Sequence, residues 1–86
     1  MKYLLKGMES QERITLLVSL TNIRSPQILK AISLHFVTGI SITRASARVG
    51  VDFSNLHRAI RELEQAVRII EKIKELDYGK QNNIVT

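Results

Sequence analysis

The 86-residue chain contains no cysteine. That absence removes disulfide bridges and thiolate metal sites together, and it suits a reducing compartment. One proline and four glycines are all the backbone breakers it has, and no glycine-rich loop is present to cradle a phosphate. Apolar runs are short, and none approaches the roughly 20 residues that cross a bilayer. The opening Met1-Lys2-Tyr3-Leu4-Leu5-Lys6-Gly7 meets charge too early for a secretory apolar segment, so a soluble, intracellular protein is expected. Catalytic groups are equally sparse. His35 and His57 have no cysteine, neighbouring histidine or acidic ligand at metal-binding spacing. No nucleophile constellation accompanies them. His35, beside Phe36 on an apolar helix, reads as structural. The expectation is therefore no metal, no cofactor, no small-molecule substrate and no enzyme.

What the chain does have is an ordinary globular balance, 44% apolar and 24% charged. Its length suits one domain over residues 1–86, with a core over about 8–78 and a flexible tail over about 79–86. A domain this small buries only about 60–65% of its unfolded surface, so modest stability is expected. The net charge is +5, and its distribution is uneven. Residues 24–61 hold Arg24, Lys30, Arg44, Arg48, Arg58 and Arg61 against Asp52 alone, whereas both flanks are nearly balanced. A localised basic zone suggests a polyanionic partner.

Periodicity predicts an all-α fold of four to five helices. Ser10 to Leu20 forms the first, with Ile14, Leu17 and Val18 inward and Leu16 and Leu20 on an adjoining strip. Ser25-Pro26 reads as N-cap and first helical residue of the second. Ile28, Leu29, Ile32 and Phe36 follow at helical spacing until Gly39. A short helix over Thr43–Val49, a turn at Gly50-Val51 and a long helix from about Phe53 to Leu76 complete the chain, with Asp52 as N-cap and Tyr78-Gly79 as the stop. No element is evident before Ser10, where Tyr3, Leu4 and Leu5 either dock or stay loose.

The stretch Ile42 to Arg61 meets the demands of a helix-turn-helix. Gly50 can reach positive φ without steric cost. Ala45 and Ser46 are small where two helices must touch, and Val49, Val51, Leu56 and Ile60 can close the wedge. On the second helix, Ser54, Arg58 and Arg61 centre on the face opposite Leu56, Ala59, Ile60 and Leu63, flanked by Asn55 and His57. Ser54, Asn55, His57, Arg58 and Arg61 are thus the candidates to read base edges of double-stranded DNA. Thr43, Arg44 and Arg48 on the preceding helix, with Lys30, are the candidates to hold phosphates. Phe53, near the apolar edge, is expected to pack. Further along, Val67, Ile70, Ile73 and Leu76 form an amphipathic stripe suited to homo-oligomerisation.

The order of these elements resembles the PapB-type regulators of fimbrial adhesin biosynthesis. The likeness rests on Ile28-Leu29-Lys30-Ala31, Phe36-Val37-Thr38-Gly39 and Ser41, then Val51, Leu56, Ile60 and Leu63, with Leu16-Leu17, Ser25 and Tyr78 outside them. It covers about residues 8–78. The resemblance implies an oligomeric, all-helical cytoplasmic protein of bacteria that binds A/T-rich DNA near fimbrial promoters and activates or represses. Two segments depart from the family pattern. Ile42-Thr43-Arg44-Ala45-Ser46-Ala47 stands where members tend to carry Ser-Arg-Lys-Glu-Val-Cys, and Asp52-Phe53-Ser54-Asn55 stands where Asn-Asn-Gly-Tyr is common. The reading surface therefore differs, and the base preference does not transfer. Major and minor groove both stay open, since A/T-rich recognition can use minor-groove shape. The alternatives are a plasmid-type helix-turn-helix repressor and a helical protein-interaction module that does not touch DNA.

Overall fold

Each helix in this chain begins on a short polar side chain that accepts an otherwise orphaned backbone N–H. The computed structural model describes residues 3–85, with side chains described for 3–78. In α1 (Gln11–Val18), the Ser10 hydroxyl accepts from the Arg13 N–H at 3.1 Å. In α2 (Pro26–Ser33), Ser25 accepts from Ile28 at 3.3 Å, and Pro26 occupies the first turn, where its missing N–H costs nothing. In α3 (Ile42–Val49), Ser41 accepts from Arg44 at 3.2 Å. In α4 (Phe53–Val85), Asp52 Oδ2 accepts from Asn55 at 3.1 Å. The expected starts at Ser10, Ser25 and Asp52 thus hold, and α3 starts one residue earlier than expected. No strand occurs among the described residues, and the all-α architecture is as read from the sequence.

α2 does not run straight to Gly39. Its last turn, Leu34–Thr38, widens into a π-helical turn before Gly39 closes it at φ 90°. Ile40 N–H then bonds back to the Leu34 carbonyl at 3.0 Å. The segment before α1 fits against this turn. Gly7 N–H donates to the His35 carbonyl at 3.2 Å, and Glu9 N–H to the Phe36 carbonyl at 3.0 Å. The approach is close: a Cβ added at Gly7 would lie 3.0 Å from Gly39 Cα. Leu4 is buried, so this segment docks, although Leu5 is exposed. His35 is a structural histidine here, donating from Nδ1 to the Ile40 carbonyl at 2.7 Å and meeting Phe36 edge-on.

The proximal half of α4 is the spine of the molecule, packed on α1, α2 and α3. Leu56, Ala59, Ile60, Leu63 and Val67 enter one core with Ile14, Leu17, Ile23, Ala31, Ile32, Phe36 and Ala45. Leu16 and Leu20, expected to line a strip beside this core, are exposed instead. Past Glu71 the described residues of the helix, 72–78, are all exposed. The helix also passes through Tyr78-Gly79, where the sequence reading ended it, and continues to Val85. A helical glycine costs about 1 kcal/mol relative to alanine but keeps its N–H, so without a proline the ladder weakens rather than stops. The flexible tail expected over 79–86 falls on residues whose side chains lie outside those described. A helix of 33 residues is about 50 Å long at 1.5 Å per residue. That length accounts for the elongated shape, 54 × 23 × 22 Å. Among the described residues, no helix is long and apolar enough to cross a membrane.

Candidate nucleic-acid interface

Gly50 sets the geometry of the surface. It holds φ 84°, and a Cβ there would meet nothing within 4 Å, so the requirement for glycine is conformational rather than steric. Gly50 and Val51 N–H groups both donate to the Ser46 carbonyl, at 2.8 and 3.0 Å, which ends α3 and redirects the chain into α4. Ala45 and Ser46 are buried, on a helix that packs on both α2 and α4, and the Ser46 hydroxyl is satisfied by the Thr43 carbonyl at 2.8 Å. Val49 and Val51 pack at the margin of the core, while Leu56 and Ile60 lie within it.

Because Leu56, Ala59, Ile60 and Leu63 face inward, the other side of α4 is presented to solvent. Ser54, Asn55, His57, Arg58 and Arg61 are all exposed over its first three turns. Phe53, Ser54, His57, Arg58 and Arg61 line a shallow depression of about 250 Å³. Phe53 is not packed inside as expected: it is 45% exposed, with its ring stacked on His57 at 5.8 Å between centroids. Thr43, Arg44 and Arg48 are exposed on α3. Lys30 is exposed on α2, a separate element from both. Arg24, counted in the basic zone, is diverted: its guanidinium donates to the Thr21 and Ile23 carbonyls at 2.9 and 3.2 Å.

Three of the acidic residues are occupied elsewhere. Glu64 accepts from the Tyr3 N–H at 3.0 Å, and Glu62 from the Asn22 N–H at 3.1 Å. Glu9 takes the Leu5 N–H at 2.9 Å and the Arg13 guanidinium at 2.6 Å. Among the described residues the ion pairs are Arg13–Glu9 and Lys74–Glu71. Arg44, Arg48, Arg58 and Arg61 therefore form no ion pair among the described residues. Arg68 was not singled out from the sequence. It lies seven residues past Arg61 on the same exposed side of α4, and both line a cleft that reaches Lys6. The signal was the i, i+4, i+7 spacing of Arg61, Gln65 and Arg68, hidden by the mixed charge of that region. Among the described residues, no group of histidine and carboxylate side chains has the arrangement to hold a metal ion.

The stripe assigned to self-association splits in two. Val67 is 0% exposed and belongs to the core of the single chain, and Ile70 packs against that core. Ile73 and Leu76 remain 51% and 65% exposed, joined by Ile69 on the same stretch.

Fold and surface together define a small all-α domain with a cationic helix face. The particular family follows from comparison. The model of the PapB family, adhesin biosynthesis transcription regulatory protein, matches residues 1–77. The chain belongs to this family of transcription regulators, which is not an enzyme class, and the resemblance noted in the sequence is confirmed over a longer stretch than first read. The crystal structure of FocB from E. coli, at 1.4 Å resolution, has the same fold: TM-score 0.77, 18% identity, with 85% of this chain and 83% of that chain covered. Among curated proteins none matches the sequence.

Proposed function

We propose that this regulator acts by binding double-stranded DNA selectively through a helix-turn-helix formed by α3, the Gly50 turn and α4. A bacterial cytoplasmic role at A/T-rich promoters of fimbrial or adhesin genes accords with the family, and oligomerisation through the distal part of α4 completes the reading. The observation that carries the proposal is the exposed face of Ser54, Asn55, His57, Arg58 and Arg61, whose arginines lack any carboxylate partner among the described residues. A helix fits the major groove, about 12 Å wide, and an arginine fork there can hold guanine O6 and N7 together. Thr43, Arg44 and Arg48 on α3, with Lys30 from α2, then meet phosphates, which position the protein without reading sequence.

A mobility-shift comparison of adhesin-promoter DNA with random DNA at two salt concentrations tests this. With roughly four to six phosphate contacts per subunit, log K should fall against log salt with a slope of about −4 to −5. Arg58→Ala should weaken binding to the promoter more than to random DNA, by roughly 1–3 kcal/mol, whereas Arg44→Ala should weaken both alike. Equal losses at both DNAs for Arg58→Ala would remove it from the reading face. No retention of either DNA at low salt would overturn the proposal and leave a protein-interaction module in its place.

A further inference from the structure

A cleft beside the helix-turn-helix gathers cations from parts of the chain that are far apart in sequence. It has a volume of about 530 Å³ and is lined by the N-terminal segment, the π turn and the proximal half of α4. Lys6 comes from the segment, and Arg61 and Arg68 come from the helix. All three are exposed, and none forms an ion pair among the described residues. Glu64, the carboxylate in this lining, is one helical turn before Arg68 yet accepts from the Tyr3 N–H at 3.0 Å. That bond helps to dock the segment, together with Gly7 N–H on the His35 carbonyl and the buried side chain of Leu4. Lys6 sits between these anchors, so its backbone is in position before any ligand arrives.

We infer that Lys6, Arg61 and Arg68 form a phosphate-binding cleft for the backbone of double-stranded DNA, with the docked N-terminal segment as one part of the nucleic-acid interface. This deepens the DNA-binding reading above and rests on it, but it needs no base contact and is indifferent to the groove. Like charges gathered around one concavity repel one another, and an anion entering between them turns that repulsion into attraction. The spacing favours a chain of anions over a single small one. Arg61 and Arg68 are seven residues apart, about 10.5 Å along the helix axis at 1.5 Å per residue. Continuity favours the same partner. His57 and Arg61 also line the depression that holds Ser54 and Arg58, so one strand can pass from the cleft to the start of α4. Finally, a lysine on a docked segment loses less backbone freedom on binding than one on a loose arm, which favours contact at this point.

The test reads the salt dependence of binding to duplex DNA by fluorescence anisotropy, for the wild-type chain and for Lys6→Ala and Arg68→Ala. Each variant should reduce the slope of log K against log salt by about one, and weaken promoter and random DNA alike. Its affinity deficit should therefore shrink about fourfold between roughly 50 and 200 mM salt. Lys6→Arg and Arg68→Lys keep the charge and should keep the native slope. Lys74→Ala should keep it too, since that ammonium lies outside the cleft and 3.7 Å from Glu71. Duplexes carrying one neutral methylphosphonate linkage at a time then locate the contacts. Linkages that weaken wild-type binding should have no further effect in the variant that lacks the matching side chain. A native slope in either Lys6→Ala or Arg68→Ala overturns the joint site. So does an equal change of slope in Lys74→Ala, which would mark a general effect of net charge, or a linkage pattern shared by all variants. Failure of the wild-type chain to bind any duplex would overturn the DNA-binding reading itself, a result distinct from a native slope in the variants.

Discussion

Two glycines with positive φ play different parts, and substitution should separate them. At Gly50 a Cβ meets open space, so Gly50→Ala pays only the left-handed backbone, about 1–2 kcal/mol. Gly50→Asn should recover part of that loss, because asparagine tolerates this conformation. At Gly7 the added Cβ also presses on the Gly39 backbone, so Gly7→Ala should cost more than Gly50→Ala. Urea unfolding of the three variants, read at constant m-value, gives the order. If Gly50→Ala proves the worse, the packing between the N-terminal segment and the π turn is not tight. The residues that sequence reasoning placed best were those whose type is dictated by one local demand. Ser25, Gly39, Gly50 and Asp52 each satisfy a cap or a handedness that nothing else supplies as cheaply. Phe53 was misplaced because its helical phase, at the edge of the apolar sector, leaves burial undecided until α3 is positioned beside it. The charge count likewise included Arg24 because sequence does not show that backbone carbonyls occupy its guanidinium.

At the scale of elements, α4 divides at about Ile70 into a buried spine and an exposed rod. Leu63→Ala should cost about 2–5 kcal/mol, since it opens a cavity in the core. Ile73→Ser should leave thermal stability of the single chain nearly unchanged, because that side chain is half in water already. Thermal unfolding at low protein concentration distinguishes the two, and a large loss in Ile73→Ser would show that the rod is packed after all. Helices α1, α3 and the beginning of α4 were legible to within a residue or two, because caps and apolar periodicity agree there. The π turn was not legible. It arises where the carbonyls of His35 and Phe36 accept from Gly7 and Glu9, a tertiary contact with no local signature. The end of α4 escaped notice for the opposite reason: one glycine is a weak stop, and no proline reinforces it. The oligomerisation stripe was read as continuous because helical periodicity continues unbroken from Leu63 to Leu76; only the burial of Val67 and the packing of Ile70 show how far one chain covers it.

For the whole molecule, the proposed assembly has a definite surface. Replacing Ile69, Ile73 and Leu76 together by serine should reduce the sedimentation-derived mass to that of a monomer of 9.8 kDa while preserving far-ultraviolet circular dichroism. An unchanged mass would move the interface elsewhere. The same triple variant should still bind random DNA as single units, since the basic face lies on the first turns of α4 and on α3. Loss of cooperativity without loss of that basal affinity is the expected signature.

One unbroken helix joins Arg58 and Arg61 to Ile73 and Leu76, and this has a geometric consequence. The angular setting between the two ends is fixed by residue number alone, at about 100° for each position. A single alanine inserted between Glu71 and Lys72 would swing the distal contacts a quarter-turn or slightly more about the axis while leaving the core and the arginines untouched. Protomers joined by such a rod would then present their arginines at a new phase around the duplex, and promoter spacings that suit the native protein would cease to suit the altered one.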